Sequence, residues 1–142
     1  MGLLDSMTIA SQGMTAERTR LEVIASNLAN SNTTRTAEGG PYKRRDVIFS
    51  STDLSSDFGS ELDRASHGVQ VQEIVPDNSA PVRRYEPGHP DADSQGYVSM
   101  PNINPLEETV NMMTATRAYQ SNLTVFNAAK DMARATIDIL KA

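Results

Sequence analysis

Apolar residues in the first part of the chain recur at alternating steps of four and three. Leu3, Met7, Ala10, Met14, Leu21, Ile24 and Leu28 share one seam, in which Glu17 is the only polar member. A repeat sustained over almost four heptads predicts a helix that lays a stripe along a partner helix, as in a coiled coil. A second, weaker stripe of Ile9, Ala16 and Val23 gives the same helix another apolar face. At 1.5 Å per residue it would run roughly 40 Å.

The end of the chain repeats the pattern. Asn104 is a cap, Pro105 suits the first helical position, and Glu107 sits where a capping box places its carboxylate. Met112, Thr116, Tyr119, Leu123, Phe126, Lys130, Ala133, Ile137 and Leu140 then continue a four-three seam, with Met113 beside its start. Val125, Ala129, Met132, Ala135 and Ile139 form a second face. No Gly or Pro occurs after Leu106, so this helix could reach roughly 55 Å.

Between the helices the chain changes character. Asn27, Asn30 and Asn32 close the first helix in a polar block with Thr33, and Gly39-Gly40-Pro41 and the basic run Lys43-Arg44-Arg45 come next. Residues 50–66 are rich in Ser and Asp and read as a flexible loop. Residues 67–75 alternate apolar and polar side chains and predict a short strand, with residues 46–49 as its partner. Pro76, Pro81, Pro87 and Pro90 divide the next stretch into turns, before a short strand at Tyr97-Val98. The expected architecture is mainly α: long terminal helices pairing as an antiparallel coiled-coil hairpin around a small, irregular, β-containing insert. Its parts are residues 1–33, 34–101 and 102–142.

Composition narrows the function. The formal charge is −5 and the basic pairs are scattered, which argues against nucleic acid as a partner. Arg18/Arg20, Lys43-Arg44-Arg45 and Arg83-Arg84 each read as solvated surface. Cysteine is absent, which excludes disulfides and thiolate metal sites. No apolar run is long enough for a transmembrane segment, and the N-terminus lacks the basic and apolar regions of a cleaved secretory signal.

Asp91-Ala92-Asp93-Ser94-Gln95-Gly96 imitates half of a calcium loop, but Gln95 and Asn102 stand where ligating carboxylates belong, so a turn is expected. His67 and His89 lie apart, and no GxSxG elbow frames a serine. No catalytic residue, metal or cofactor is expected. Two helices with more apolar face than one intramolecular partner can cover describe a subunit that self-associates.

The residues also carry a family likeness. Asn27, Ala29, Asn30, Asn32 and Thr33 fill the S/A-N-x-A-N-x-N-T pattern that ends the first helix of the bacterial flagellar axial proteins, the rod, hook and hook-associated proteins. Residues 111–132, with Arg117, Ala118, Tyr119 and Asn122 as an A-x-R-A-Y-x-x-N core, resemble that family's terminal helix. The longer stretch before Tyr42, including Gly39, Gly40 and Pro41, is similar to a proximal rod member rather than to the larger distal rod and hook proteins.

The resemblance implies a periplasmic rod subunit of the flagellar basal body that assembles helically and transmits torque from motor to hook. It further implies partners among other rod proteins (proximal, distal and ring–rod junction) and in the flagellar type III export apparatus, with export on an uncleaved N-terminus. Its terminal helices would form an inner tube and its insert would lie outside. The rival reading is a soluble helical adaptor or export chaperone, since seam helices also hold other proteins' helices.

Overall fold

The structure is a computed structural model that describes residues 2–53 and 67–141. The first helix, α1, spans Leu3–Ala29. Its start is tied by the Gly2 N–H donating to Asp5 Oδ2 at 2.6 Å, a carboxylate in the first turn where the helix dipole favours it. A hairpin comes next, with β1 (Arg45–Asp53) antiparallel to β2 (His67–Pro76) from Arg45 opposite Pro76 to Asp53 opposite His67. A bulge interrupts it where the register shifts between Ile48 and Phe49. A second, shorter hairpin pairs β3 (Val82–Tyr85) with β4 (Tyr97–Met100).

The last helix, α2, spans Pro105–Lys141. Asn104 caps it by accepting from the Leu106 N–H at 3.1 Å, which satisfies one of the four donors a helix start leaves open. Glu107, expected to complete the cap, is exposed in the first turn.

The two helices lie side by side in opposite directions: the end of α1 meets the start of α2 at Asn27 and Glu108, and Gly13 meets Asn122 further along. Small residues are buried along both helices. Ala10, Gly13 and Ala16 of α1 and Ala115 and Ala129 of α2 are buried. A Cβ on Gly13 would come within 2.6 Å of Asn122 Nδ2, so the backbone of α1 gives Asn122 its space. A glycine costs about 1 kcal/mol against alanine inside a helix. Here that cost is the condition for close packing. Val23 and Ile24, with Val98 and Met100 of β4, complete the apolar core of the described residues.

Several expectations change. The second stripes were to face only neighbours, yet Ala16, Val23 and Ala129 are buried within the chain. The reason is the insert: the β1–β2 hairpin packs along α1, with Gly68 against Gln12, and covers the face that carries Ala16 and Val23, while the small side chain of Ala129 is buried on α2. Leu3, Met7, Met14, Leu21, Leu28 and Ile9 are half-buried, as are Met112, Tyr119, Asn122 and Phe126. Met113, Leu123, Met132 and Ile137 are exposed in the single chain.

Residues 50–53 belong to β1 instead of the predicted Ser/Asp loop, because β2 continues opposite them to His67. From residue 54 to 66 that loop lies outside the described residues, as does the side chain of Leu140. Strand β3 was hidden between prolines, since its four residues are all exposed and carry no burial pattern.

Candidate functional site at the helix–insert joint

The polar block that ends α1 ties both helices to the start of the insert, in addition to the packing of the β1–β2 hairpin along α1. The Asn27 side chain is fully buried. Its Nδ2 donates to the Arg45 carbonyl at 2.8 Å while its Oδ1 accepts from the Arg45 N–H at 2.9 Å. One carboxamide thus pairs with both backbone groups of the first residue of β1, as a neighbouring strand would.

The second hydrogen of Nδ2 goes to Glu108 Oε2 at 3.2 Å, and Oδ1 also accepts from the Tyr42 hydroxyl at 3.2 Å. Two donors and two acceptor positions are all an asparagine side chain offers. All four are used.

Glu108 is the second buried polar residue, with 2% of its surface exposed. Its Oε1 accepts from Arg44 Nε at 2.8 Å, and the same guanidinium reaches Asp46 Oδ2 through NH1 at 3.3 Å. Burial pulls the Arg44 pKa down, but hydrogen bonding and charge from Glu108, then from Asp46, outweigh it and hold the pKa above its ordinary value. The reading of Lys43-Arg44-Arg45 as solvated surface therefore fails at Arg44, whose side chain is 25% exposed and faces a buried carboxylate. A buried charge left without its partner is strongly destabilising, so each member of the cluster depends on the others.

The rest of the block orders the turn. Asn30 caps α1: its backbone N–H and its Nδ2 both donate to the Ser26 carbonyl, at 3.0 and 2.9 Å. Its Oδ1 accepts from the Thr33 hydroxyl at 3.2 Å. The Thr33 carbonyl then accepts from the Tyr42 N–H at 3.0 Å, which returns the chain to the helix end. Between them Thr36 closes a small loop by donating from its N–H to the Gly40 carbonyl at 2.9 Å. Gly39 and Gly40 take φ of 86° and 76° there, a conformation that disfavours other residues. Pro41 comes next, half-buried, and the Tyr42 hydroxyl also shares a 3.2 Å hydrogen bond with Ser26 Oγ.

Ala29 and Asn32 are exposed, as is Arg117 on α2. The structure does not bring them into the joint.

The acidic turn that imitates a calcium loop is also engaged. Asp91 accepts from the Thr34 hydroxyl at 2.8 Å, joining the polar block to the second hairpin. Asp93 accepts from the N–H groups of Gln95 and Tyr97, both at 2.9 Å, and from Arg83 at 2.6 Å. The Tyr97 bond leads the causes that hold the Asp93 carboxyl below the usual carboxylate range. Among the described residues no cluster of His, Asp or Glu is arranged to hold a metal ion, and no helix is long and apolar enough to cross a membrane.

Sequence reasoning found Asn27 and Tyr42 but missed Glu108, Arg44 and Gly13. The available signal was the seven-residue spacing of Glu108, Ala115, Asn122 and Ala129. A search for apolar seams passes over a line made of a carboxylate, an amide and two alanines.

Comparison with known proteins bears on the same segments. A family model described as "Flagella basal body rod protein" matches residues 7–35, which cover most of α1 and the start of the polar block. One described as "Flagellar basal body rod FlgEFG protein C-terminal" matches residues 94–139, including β4 and nearly all of α2. The flagellar basal-body rod protein FlgC of Borreliella burgdorferi is 42% identical, over 99% of this chain and 99% of its own length. Its counterparts in Bacillus subtilis and Escherichia coli O157:H7 are each 37% identical, over 99% and 98% of this chain and 100% and 98% of their own. Both ends of the joint, Asn27 on α1 and Glu108 on α2, lie in segments that the rod-protein models match, and whole-length identity of this order leaves one assignment: the chain belongs to the FlgC family of flagellar basal-body rod proteins.

Proposed function

We propose that this chain is a structural subunit of the proximal rod, assembling helically with copies of itself and with other rod proteins to carry torque from the motor to the hook. The observation that carries the reading is the buried joint of Asn27, Glu108 and Arg44. A shaft subunit must pass shear between its helices and the part that projects from them. Apolar contacts alone permit sliding, whereas directional hydrogen bonds to a buried carboxylate resist it.

The exposed apolar residues of α2, Val110, Met113, Leu123, Val125, Met132, Ile137 and Ile139 among them, supply the surface that neighbours cover. In this reading the helices wind as an antiparallel coiled coil in the inner tube, the insert of residues 34–101 lies outside, and Asn27 to Tyr42 form the assembly motif between them. The subunit leaves the cytoplasm through the flagellar type III export apparatus without cleavage and resides in the periplasmic rod. No catalytic step, metal or cofactor enters this role.

The test is location. A functional epitope-tagged chain replacing the native protein should copurify with detergent-extracted basal bodies at its full, uncleaved mass. Recovery only as a small cytoplasmic complex with export substrates would refute the rod reading in favour of an export chaperone.

A further inference from the structure

The helix pair has a register that its apolar packing does not select. Asn27 meets Glu108 and Gly13 meets Asn122, so a step of 14 residues along α1 is matched by a step of 14 residues along α2. On that diagonal Ala115 takes the heptad position between Glu108 and Asn122 and Ala129 the one after Asn122, both buried. Sliding α2 toward the insert by one heptad, about 10 Å, would bring Ala129 to Gly13 and Ala115 to Asn27. Alanine over glycine is less crowded than asparagine over glycine, but Asn122 would leave the space that Gly13 gives it and come opposite Arg20.

The tether does not forbid the slide. Between Pro105 and Val110 only Glu108 is buried, so the first turns of α2 could unwind to take up the slack. What opposes the slide is polar. Asn27 would lose its acceptor on Glu108, and Arg44 would lose its carboxylate.

We infer that Asn27–Glu108 and Gly13–Asn122 are the register-setting contacts of the helix pair, and that they determine how far α2 projects past α1. Buried polar residues at single heptad positions act this way in coiled coils. In the observed register Leu3, the first residue of α1, faces Met132, so residues 133–141 extend beyond it. After a one-heptad slide only the last two residues of α2 would. Ile137 and Ile139, 50% and 77% exposed, would then be drawn alongside α1. This register is a property of the single chain, independent of its proposed place in the rod.

The absence of cysteine allows clean spin labelling. Ser11→Cys and Ser121→Cys, both exposed positions, would report register as a nitroxide–nitroxide distance in the full chain. The wild-type background should give one narrow distance, and Glu108→Gln should keep it by retaining an acceptor for Asn27. Glu108→Ala with Asn122→Ala should add a longer distance, from an axial offset increased by about 10 Å. Gly13→Ala guards against a variant that simply unfolds, since alanine favours the helix. It should broaden the distribution by crowding Asn122, and adding Asn122→Ala should narrow it again. A broad wild-type distribution, or an unchanged narrow one either in Glu108→Ala with Asn122→Ala or in Gly13→Ala, would overturn the inference.

Discussion

Replacing Glu108 by alanine isolates the contribution of the joint. The substitution removes the acceptor of Asn27 Nδ2 and of Arg44 Nε, at 3.2 and 2.8 Å. Breaking a fully buried pair costs about 3–5 kcal/mol. Two features lower the figure. Asn27 keeps its bond to the Arg45 carbonyl, and Arg44, 25% exposed, can turn to Asp46 and water. We therefore expect about 3 kcal/mol for Glu108→Ala, and about 1–2 kcal/mol for Glu108→Gln, which exchanges a charged acceptor for a neutral one.

The pair Arg44→Met with Glu108→Leu should recover most of the loss, because neither charge then remains buried. Urea unfolding monitored by circular dichroism, run as a double-mutant cycle, measures all of these. Alkaline pH provides a control. The Arg44 pKa is raised on folding, so its stabilisation is fully present below the unfolded value and is lost only as pH rises through the still higher folded one. Nothing should change between neutral pH and about pH 10 on account of this group. If Glu108→Ala lies within about 0.5 kcal/mol of wild type, the size of effect expected at an ordinary surface site, the joint is not what fastens helices to insert.

Two further outcomes concern other parts of the molecule. The Asp93 carboxyl is held below its ordinary range, so its contribution is present above the unfolded pKa and is lost as pH falls through the folded one. Titration by NMR should show the β3–β4 turn loosening only below about pH 4, and Asp93→Asn should loosen it at neutral pH, since the side chain that accepts from Tyr97 and Arg83 has lost its charge. Residues 133–141 have no α1 beside them, so their amides should exchange with solvent much faster in the free chain than those around Ala115, which is fully buried. Equal protection in the two regions would contradict the diagonal that places Leu3 opposite Met132.

The two helices were legible because periodicity is a local signal: the seam residues from Leu3 to Leu28 and the cap at Asn104 announce themselves within a few positions. The polar block was legible as a helix stop, but not its principal contact. Asn27 and Glu108 are 81 residues apart, and nothing local in either stretch requires a partner. Small residues were undervalued for a related reason. A reading by hydrophobicity ranks Leu21 and Met14 above Gly13 and Ala10, while the distance between two helix axes is set by the smallest side chains between them. Strand β3 escaped because all four of its residues are exposed and no apolar alternation marks it; Arg83 and Arg84 look the same in a strand as in a loop.

The bond pair between Asn27 and Arg45 has a consequence for solubility. Arg45 stands opposite Pro76, and its N–H and C=O turn outward from the hairpin to Asn27. Unpaired groups along a ribbon edge invite strands from other chains, and natural proteins guard such edges. Here the guard is one carboxamide from a neighbouring helix. The root of the β1–β2 ribbon is thereby closed to a strand from another chain by a side chain that also fastens the ribbon to α1.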